Sequence, residues 1–363
     1  MAHITPPASV SVAALNMRAK KLTEPLYKKS PIFGMMQQKG RVKKNQGGKG
    51  LEWPVRYRRR DITAGGSPLS AVFPEFNRLL TASLPWRVYE LAEAMSKFTN
   101  LALKNDPNSY ADGYDQMLKW VMDDFNVSLA KKVYQDGAAT GSQEIHGLES
   151  LFNATAVAAN AKVGTPAGTY AGITSTLANY GGSFTAETGE AWPVGTGSDQ
   201  YDFWAPLQVD TTNTGWTEST KTWAKNWQEQ VMWLRSMMFS RNGDPPDAIL
   251  LTPNMLVQSK TNLLGNQRFE VTQNKDTIEA GIRAVSIEGL DFIEDGHIVS
   301  GASEGVGYAV TWDQIEIDCM GSDLVESDSD LDLTTKNKRV NLDSHIQLKF
   351  EAPPYFAKIH AIS

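Results

Sequence analysis

The chain has one cysteine, Cys319, in 363 residues. A single thiol excludes an intramolecular disulfide framework and any multi-cysteine metal site, and it fits synthesis in a reducing cytosol. Cys319 is expected as a small apolar side chain in a strand rather than a catalytic thiol. No apolar run approaches the ~20 residues of a membrane span, and no N-terminal stretch resembles a signal peptide, so a soluble protein with no membrane partner is expected. The phosphate-loop pattern is missing. Gly305-Val306-Gly307 lacks the third glycine of the dinucleotide fingerprint and leads into a strand. The five histidines (His3, His146, His297, His345 and His360) have no ligand-like spacing. No cofactor, metal or catalytic group is therefore expected. Charged residues are slightly scarce at 21%, while a hydrophobic content of 41% is that of an ordinary folded protein.

What is present is unevenly distributed. The net charge is −6, yet residues 18–60 hold fourteen Lys or Arg against Glu24 and Glu52, leaving −18 on the rest. Residues 316–332 hold seven acids and no Lys or Arg. A basic arm on one copy meeting acidic surface on another ranks first as an explanation, since charge complementarity steers association. A merely solvated charge run ranks second and nucleic-acid binding third, because the acidic remainder repels a polyanion.

Residues 51–90 carry the strongest pattern. Leu51, Trp53, Val55 and Tyr57 alternate with Glu52, Arg56, Arg58 and Arg60. Leu80, Ala82, Leu84, Trp86 and Val88 alternate with Thr81, Ser83 and Arg87. Period-two alternation marks half-buried strands, Pro54 and Pro85 suit edge strands, and Ala64-Gly65-Gly66-Ser67-Pro68 carries turn chemistry. The expectation is a long two-stranded arm of roughly 33 Å. An isolated ribbon is marginal in water, so its apolar face needs cover, for which a neighbouring copy is the candidate. Trp53, Arg56, Tyr57, Arg58, Arg59, Arg60, Trp86 and Arg87 are the candidate subunit-contact residues.

Elsewhere, residues 1–45 read as an extended arm, in which only Val10 to Leu22 suits a short helix. Leu91, Ala94, Met95, Phe98, Leu101 and Ala102 fit helical spacing, with the preceding strand able to run into the first of them. Tyr110, Tyr114, Met117, Leu118, Val121, Phe125, Leu129 and Val133 predict a helix from about Asn108 to Gln135, stopped by Gly137. Residues 164–205, with eight glycines up to Gly197, read as a mostly irregular connection. A second helix is expected over about Thr217 to Ser240, with Trp223, Trp227, Val231, Leu234 and Met238 on one face and Asn242-Gly243 ending it. Ala248 to Leu251 is a short buried strand. Thr252 and Pro253 start another helix, closed by Gly265. Glu288-Gly289 joins a hairpin. Tyr308 to Asp318 and Val340 to Phe350 read as strands. The class is α+β.

Two matches to chemical motifs fail on context. Gly301-Ala302-Ser303-Glu304-Gly305 satisfies the G-x-S-x-G elbow, but strand-like residues follow where a helix is required. Asp328-Ser329-Asp330-Leu331-Asp332 begins like a calcium loop, yet Leu333 replaces the glycine and Arg339 the bidentate glutamate. A solvated acidic turn is the default there, with at most a weak cation site.

In this order, the elements resemble the major capsid proteins of tailed bacteriophages, the shell-forming group with the HK97-type fold. Residues 1–46 resemble the family's N-terminal arm, 47–92 its extended loop and 93–204 a peripheral domain with a spine helix. Residues 205–315 resemble an axial domain, and 316–363 a return to peripheral strands. Gly168 to Ile173 is similar to a Y-x-G-I stretch after the spine helix. Asp247 to Asn254 and Ser286 to Ile293 resemble a strand entering a central helix and a later hairpin.

The resemblance implies a virion protein that assembles in the host cytoplasm. It forms hexamers and pentamers of an icosahedral shell around double-stranded DNA, with portal and decoration proteins as further partners. Many relatives begin with a long removable scaffold segment. Only a short arm starting at Met1 precedes Gly47 here, which implies a separate scaffolding protein. The lysine–asparagine cross-link of some relatives is not carried over to Lys43, Lys44 or Lys49, since no partner is identifiable. The alternatives are an encapsulin-like compartment of the same fold, a hydrolase using Ser303 and a nucleic-acid-binding module using the basic arm.

Overall fold

A computed structural model describes residues 30–56, 79–96, 113–139, 141–152, 162–164, 169–174, 204–264, 284–287, 289–298, 305–331 and 337–361. The expected helix at Val10–Leu22, the hairpin tip, the residues around Phe98 and Leu101, Gly265 and the Ser303 elbow lie outside these.

The arm does not stay extended where it is described. Ser30 and Pro31 open helix α1 (Pro31–Gln38), with proline at its first position. Ile32, Met35 and Met36, spaced for one helical face, are buried against the rest of the chain. Gly40, at φ +67°, closes the helix with Arg41 N–H reaching back to Met36 O at 2.8 Å, a Schellman end. Strand β1 (Val42–Lys43) follows and pairs in parallel with β12, described below.

Strands β2 (Gly50–Arg56) and β3 (Leu79–Pro85) form the antiparallel base of the expected hairpin. Their register sets Leu51 opposite Leu84, Trp53 opposite Ala82 and Val55 opposite Leu80, so the alternating apolar residues meet as cross-strand pairs. The second strand does not continue to residue 90 in that ribbon. It ends at Pro85, which lacks an amide to extend the ladder, and the chain re-enters as β4 (Arg87–Met95) in a different sheet. Leu91 to Met95 are therefore strand, not helix, and Val88 is exposed instead of sharing the hairpin's apolar face.

Helix α2 (Gly113–Lys132) is the described part of the expected spine. Met117, Val121, Phe125 and Leu129 form a buried stripe at four-residue spacing. The helix stops at Lys132 rather than Gln135, because the loop at Ile145–Leu148 docks on its end: Leu148 N–H donates to Val133 O at 2.7 Å. Gly137 is no helix stop. A Cβ there would stand 2.1 Å from Ile145 O, so its role is close backbone packing. The glycine-rich stretch is not wholly irregular either. Strands β5 (Thr169–Tyr170) and β6 (Ile173–Thr174) form a tight hairpin whose turn, Ala171-Gly172, has both φ angles positive (51° and 78°), as a primed turn requires.

The second half forms a mixed six-stranded sheet. Its strands are β7 (Leu207–Asp210), β8 (Ala248–Leu251), β9 (Ala284–Ile287), β10 (Leu290–Glu294), β11 (Gly305–Val310) and β15 (Ala357–Ala361), in the order β7-β15-β11-β8-β10-β9. Helices α3 (Trp223–Asn242) and α4 (Pro253–Leu264) cover one face. Trp223, Trp227, Leu234 and Met255 there meet Ile249, Leu251 and Ala309. Ala248, Leu250, Tyr308 and Val310 point the other way, into the larger core with α2. Gly243, at φ +82°, ends α3 as expected, and Gly289 turns the β9–β10 hairpin.

The other sheet is built on β14 (Lys338–Phe350), whose Val340, Leu342, Ile346, Leu348 and Phe350 are buried. Strand β4 runs antiparallel along β14 from Lys338 to Ile346. On its opposite edge lie β12 (Ile315–Cys319) and β13 (Glu326–Leu331), one strand line interrupted by an excursion through Met320–Val325. Two expectations are corrected here. Tyr308 to Asp318 is two strands in two sheets, split by a 3₁₀ turn at Trp312–Gln314. Asp328 to Leu331 is strand, not an acidic turn, since its backbone is used by β14. The last strand, β15, joins the six-stranded sheet beside β11.

Gly147 sits against Val133 O as tightly as Gly137 does against Ile145 O, with a virtual Cβ at 2.4 Å. Gly137→Ala and Gly147→Ala are each expected to lower stability by about 1–3 kcal/mol, the cost of overpacking against immobile backbone. Thermal denaturation checks this; unchanged melting of both variants would contradict the docking.

Candidate subunit-contact surface

The base of the hairpin is mounted on its own chain. Leu51, Val55, Ala82 and Leu84 are buried without a second copy. The β5–β6 turn reaches β3, where Ser83 N–H donates to Ala171 O at 3.0 Å. Tyr170 in that turn fixes it to the core. Its hydroxyl accepts from Phe350 N–H at 2.9 Å, and Trp204 Nε1 donates to its carbonyl at 3.1 Å. The apolar face of residues 50–56 and 79–85 packs into the core of its own chain, with the short hairpin from the glycine-rich stretch bonded to the edge of β3.

The candidate contact residues separate accordingly. Trp53 Nε1 donates to Glu351 O at 3.2 Å, and Lys349 Nζ lies 5.9 Å from the indole centroid. Trp86 Nε1 donates to Gly48 O at 3.0 Å. Trp53 thus ties the hairpin to the body of its own chain, and Trp86 closes the hairpin's base. Arg87 Nη1 donates to Gln143 Oε1 at 3.4 Å. Arg56, at the last described position of β2, is exposed. Tyr57, Arg58, Arg59 and Arg60 lie outside the described residues.

A second clip holds the hairpin's exit. Tyr89 hydroxyl donates to Glu144 Oε2 at 2.8 Å and accepts from Ile145 N–H, while Lys132 Nζ meets Glu144 Oε1 at 2.5 Å. Strand β4, the end of α2 and the following loop are thereby joined. Burial raises the Tyr89 phenol well above its ordinary value, so it remains a donor. Beside it, burial and the nearby Arg87 guanidinium pull His146 down to about 4, so this histidine is neutral at physiological pH.

The charge segregation also resolves within the chain. Arg41 pairs with Asp313 and, at 3.6 Å, with Glu316; Lys43 reaches Glu316 at 2.7 Å; Lys44 reaches Asp323 at 2.5 Å. Arg41, Lys43 and Lys44 therefore meet acids of their own chain, among them Glu316 and Asp323 of the acidic run. Lys349, opposite Glu316 on β14, contacts it at 2.5 Å, with Glu351 at 3.1 Å and Asp318 at 3.9 Å. This seam was missed because a sequence shows complementary runs but not which copy they belong to. Cys319 is buried in β12 as an apolar strand residue, as expected. Among the described residues, no cluster of His, Cys, Asp or Glu could hold a metal, and no helix is long and apolar enough to cross a membrane.

No protein-family model and no curated protein sequence matches the chain. Solved structures do. A subunit from the capsid asymmetric unit of cyanophage A-1(L) superposes with a TM-score of 0.61 at 15% identity, covering 96% of each chain. The capsid of Myoviridae phage XM1 gives 0.54 at 11% identity over 100% of both. That of an empty GTA particle gives 0.56 at 8% identity, over 95% of this chain and 94% of that one. At such identities the likeness shows the fold. The chain has the α+β, HK97-type fold of tailed-phage capsid subunits, as the order of its elements led us to expect.

Two neighbouring acids on β12 are expected to behave oppositely. Burial alone pushes Glu316 up, but Lys349 and Lys43 outweigh it and hold the carboxyl below its ordinary 4.5. Its ionisation therefore stabilises the fold above that value, and this contribution is lost as pH falls through the lowered one. Burial raises Asp318 above 3.8, with Lys349 only partly compensating, so its ionisation works against the fold as pH rises. Glu316→Gln should cost about 1–3 kcal/mol at neutral pH, with the deficit shrinking below pH ~4. Asp318→Asn should be neutral or stabilising at pH ~7. Denaturant melts across pH decide; equal losses for both variants would refute the assignment.

Proposed function

We propose that the chain is the major capsid protein of a tailed phage, a structural protein and not an enzyme. Copies join as hexamers and pentamers into a closed icosahedral shell around double-stranded DNA, assembled in the host cytoplasm and carried in the virion. A separate scaffolding protein, a portal and a decoration protein are the further partners we expect. The observation that carries this reading is full-length agreement with capsid subunits: the match spans nearly all of both chains, not one shared domain.

Mechanistically, the hairpin base acts as a mount and residues 57–78 as the part that meets the neighbour. The base is already satisfied by its own core. Arg56, with Arg58, Arg59 and Arg60 beyond it, stands at the outer end of β2, where it can meet acidic surface on the next copy. Single exposed ion pairs contribute only about 0–1 kcal/mol. Apolar burial by the arm, at about 25 cal/mol per Å², supplies the larger share. The domain boundaries follow the same reading: arm to residue 46, extended loop 47–92, peripheral 93–204 and axial 205–315, followed by a C-terminal segment shared between the two sheets.

The test removes the tip and keeps the mount. Residues 57–78 are replaced by Asn-Gly, a two-residue turn that suits the Arg56–Leu79 register. The variant should fold, with unchanged circular dichroism and melting, and should give no shells by electron microscopy or sedimentation where the parent does. Normal shells from the variant would overturn the arm mechanism. In parent particles, double-stranded DNA supports the virion reading, whereas an enclosed enzyme would replace it with an encapsulin-like compartment.

A further inference from the structure

Residues Arg41–Gln46 form a strap held in an unusual way. None of their side chains is buried, in contrast to α1 before them and β2 after them. The strap adds a two-residue parallel strand to the edge of the five-stranded sheet, outside β12. Besides the β1–β12 ladder at Val42 and Lys43, backbone bonds anchor it from Ile317 N–H to Arg41 O at 2.9 Å, Asn45 N–H to Gly321 O at 3.0 Å and Gln46 N–H to Cys319 O at 2.9 Å. Ionic contacts add to these. Arg41, Lys43 and Lys44 lie on Asp313, Glu316 and Asp323, and all of these side chains but Glu316 keep a quarter to three quarters of their surface in water.

Both flanks can pivot. Gly40, at φ +67°, and Gly47 have open space where a Cβ would stand. Just beyond, Gly48 is fixed by the Trp86 indole, which marks where the movable part ends. Beneath the strap lies Cys319, 1% exposed, its Sγ 3.4 Å from Lys43 O.

We propose that this strap is a salt-sensitive conformational switch. It opens as a unit about Gly40 and Gly47 while α1 and the hairpin base stay docked. Opening frees the outer edge of β12 and turns the three basic side chains outward. Segments with few buried apolar contacts and exposed backbone bonds are those that open below the global unfolding free energy. A clasp of partly hydrated ion pairs adds ionic-strength dependence to that opening. The inference concerns the isolated chain and stands whether or not the chain builds a shell.

The chain carries its own reporter, because Cys319 is its one thiol. Its labelling by an uncharged maleimide is measured in the folded protein and compared with the denatured protein at the same pH and salt. Raising NaCl from about 0.01 M to about 1 M shortens the screening length from about 30 Å to about 3 Å. Labelling should accelerate about tenfold, the summed effect of a few pairs of up to ~1 kcal/mol each. Lys43→Gln with Lys44→Gln should reproduce the acceleration at low salt and flatten the salt response. Losing Lys44 removes a cation that favours the thiolate, so any direct effect on the thiol would slow labelling and cannot mimic opening. Tryptophan fluorescence and circular dichroism should stay unchanged throughout. Labelling indifferent to salt and to both substitutions would overturn the switch. So would acceleration that appears only together with loss of the folded signals.

Discussion

The fold depends on the pairing of β14 along both of its edges. This thirteen-residue strand holds β4 on one side and the β12–β13 line on the other. Its alternate side chains enter the large core, where Phe350 packs edge-on to Phe356 at 5.0 Å between centroids. Its other face is polar. Gln347 is buried, donating to Pro85 O at 2.7 Å and accepting from His146 N–H at 3.0 Å. Through Pro85 it fixes the residue at which the chain leaves the hairpin; through His146 it holds the loop that docks on the end of α2. A buried amide with both ends bonded specifies register in a way that an apolar side chain of equal volume does not.

Much of this was legible before any coordinates, and the parts that were share a cause. Strand β14 and the buried face of α3 each bury a periodic set of side chains, and Ala248–Leu251 a continuous one, next to an unambiguous stop. Where period and punctuation agree, local preference and tertiary demand point the same way. The misreadings fall where a partner distant in sequence decides the outcome. Leu91 to Met95 fit a helix by spacing, yet nine consecutive residues of β14 offer them a ladder. Tyr170 and Ile173 looked like part of a long loop, because a hairpin of two-residue strands is too short to show alternation. Helix α1 was passed over although Ser30-Pro31 and the Ile32/Met35/Met36 spacing were present, since the surrounding prolines and glycines dominated the window.

The charge pattern teaches a different lesson. A block of cations and a distant block of acids state complementarity without stating valence: the same two runs serve a contact within one copy or between two. Geometry decides, and here Val42 and Lys43 lie beside Ile317 and Asp318 in the same chain. Glu316 shows why this pairing has consequences for stability. A carboxylate 2% exposed needs cations to offset its desolvation, and it takes Arg41 and Lys43 from the strap and Lys349 from β14. The N-terminal segment is thus coupled to the sheet through a charge the core cannot accommodate alone.

That coupling alters how the contact hairpin should be understood. A ribbon that needed a neighbour to cover its whole length would be unsatisfied in the free subunit and exposed to indiscriminate pairing. The described base of this hairpin has no such deficit, with Leu51, Val55, Ala82 and Leu84 buried and both tryptophan N–H groups bonded within the chain. Its orientation is therefore set before any encounter. A base held in one geometry beforehand has no ordering entropy left to lose when a partner binds it. The same economy explains why Trp53 sits where it does: its ring packs near Lys349, and Lys349 in turn serves Glu316. The hairpin mount and the strap thus stand on either side of the Lys349–Glu316 pair, Trp53 beside the cation and Lys43 on the carboxylate.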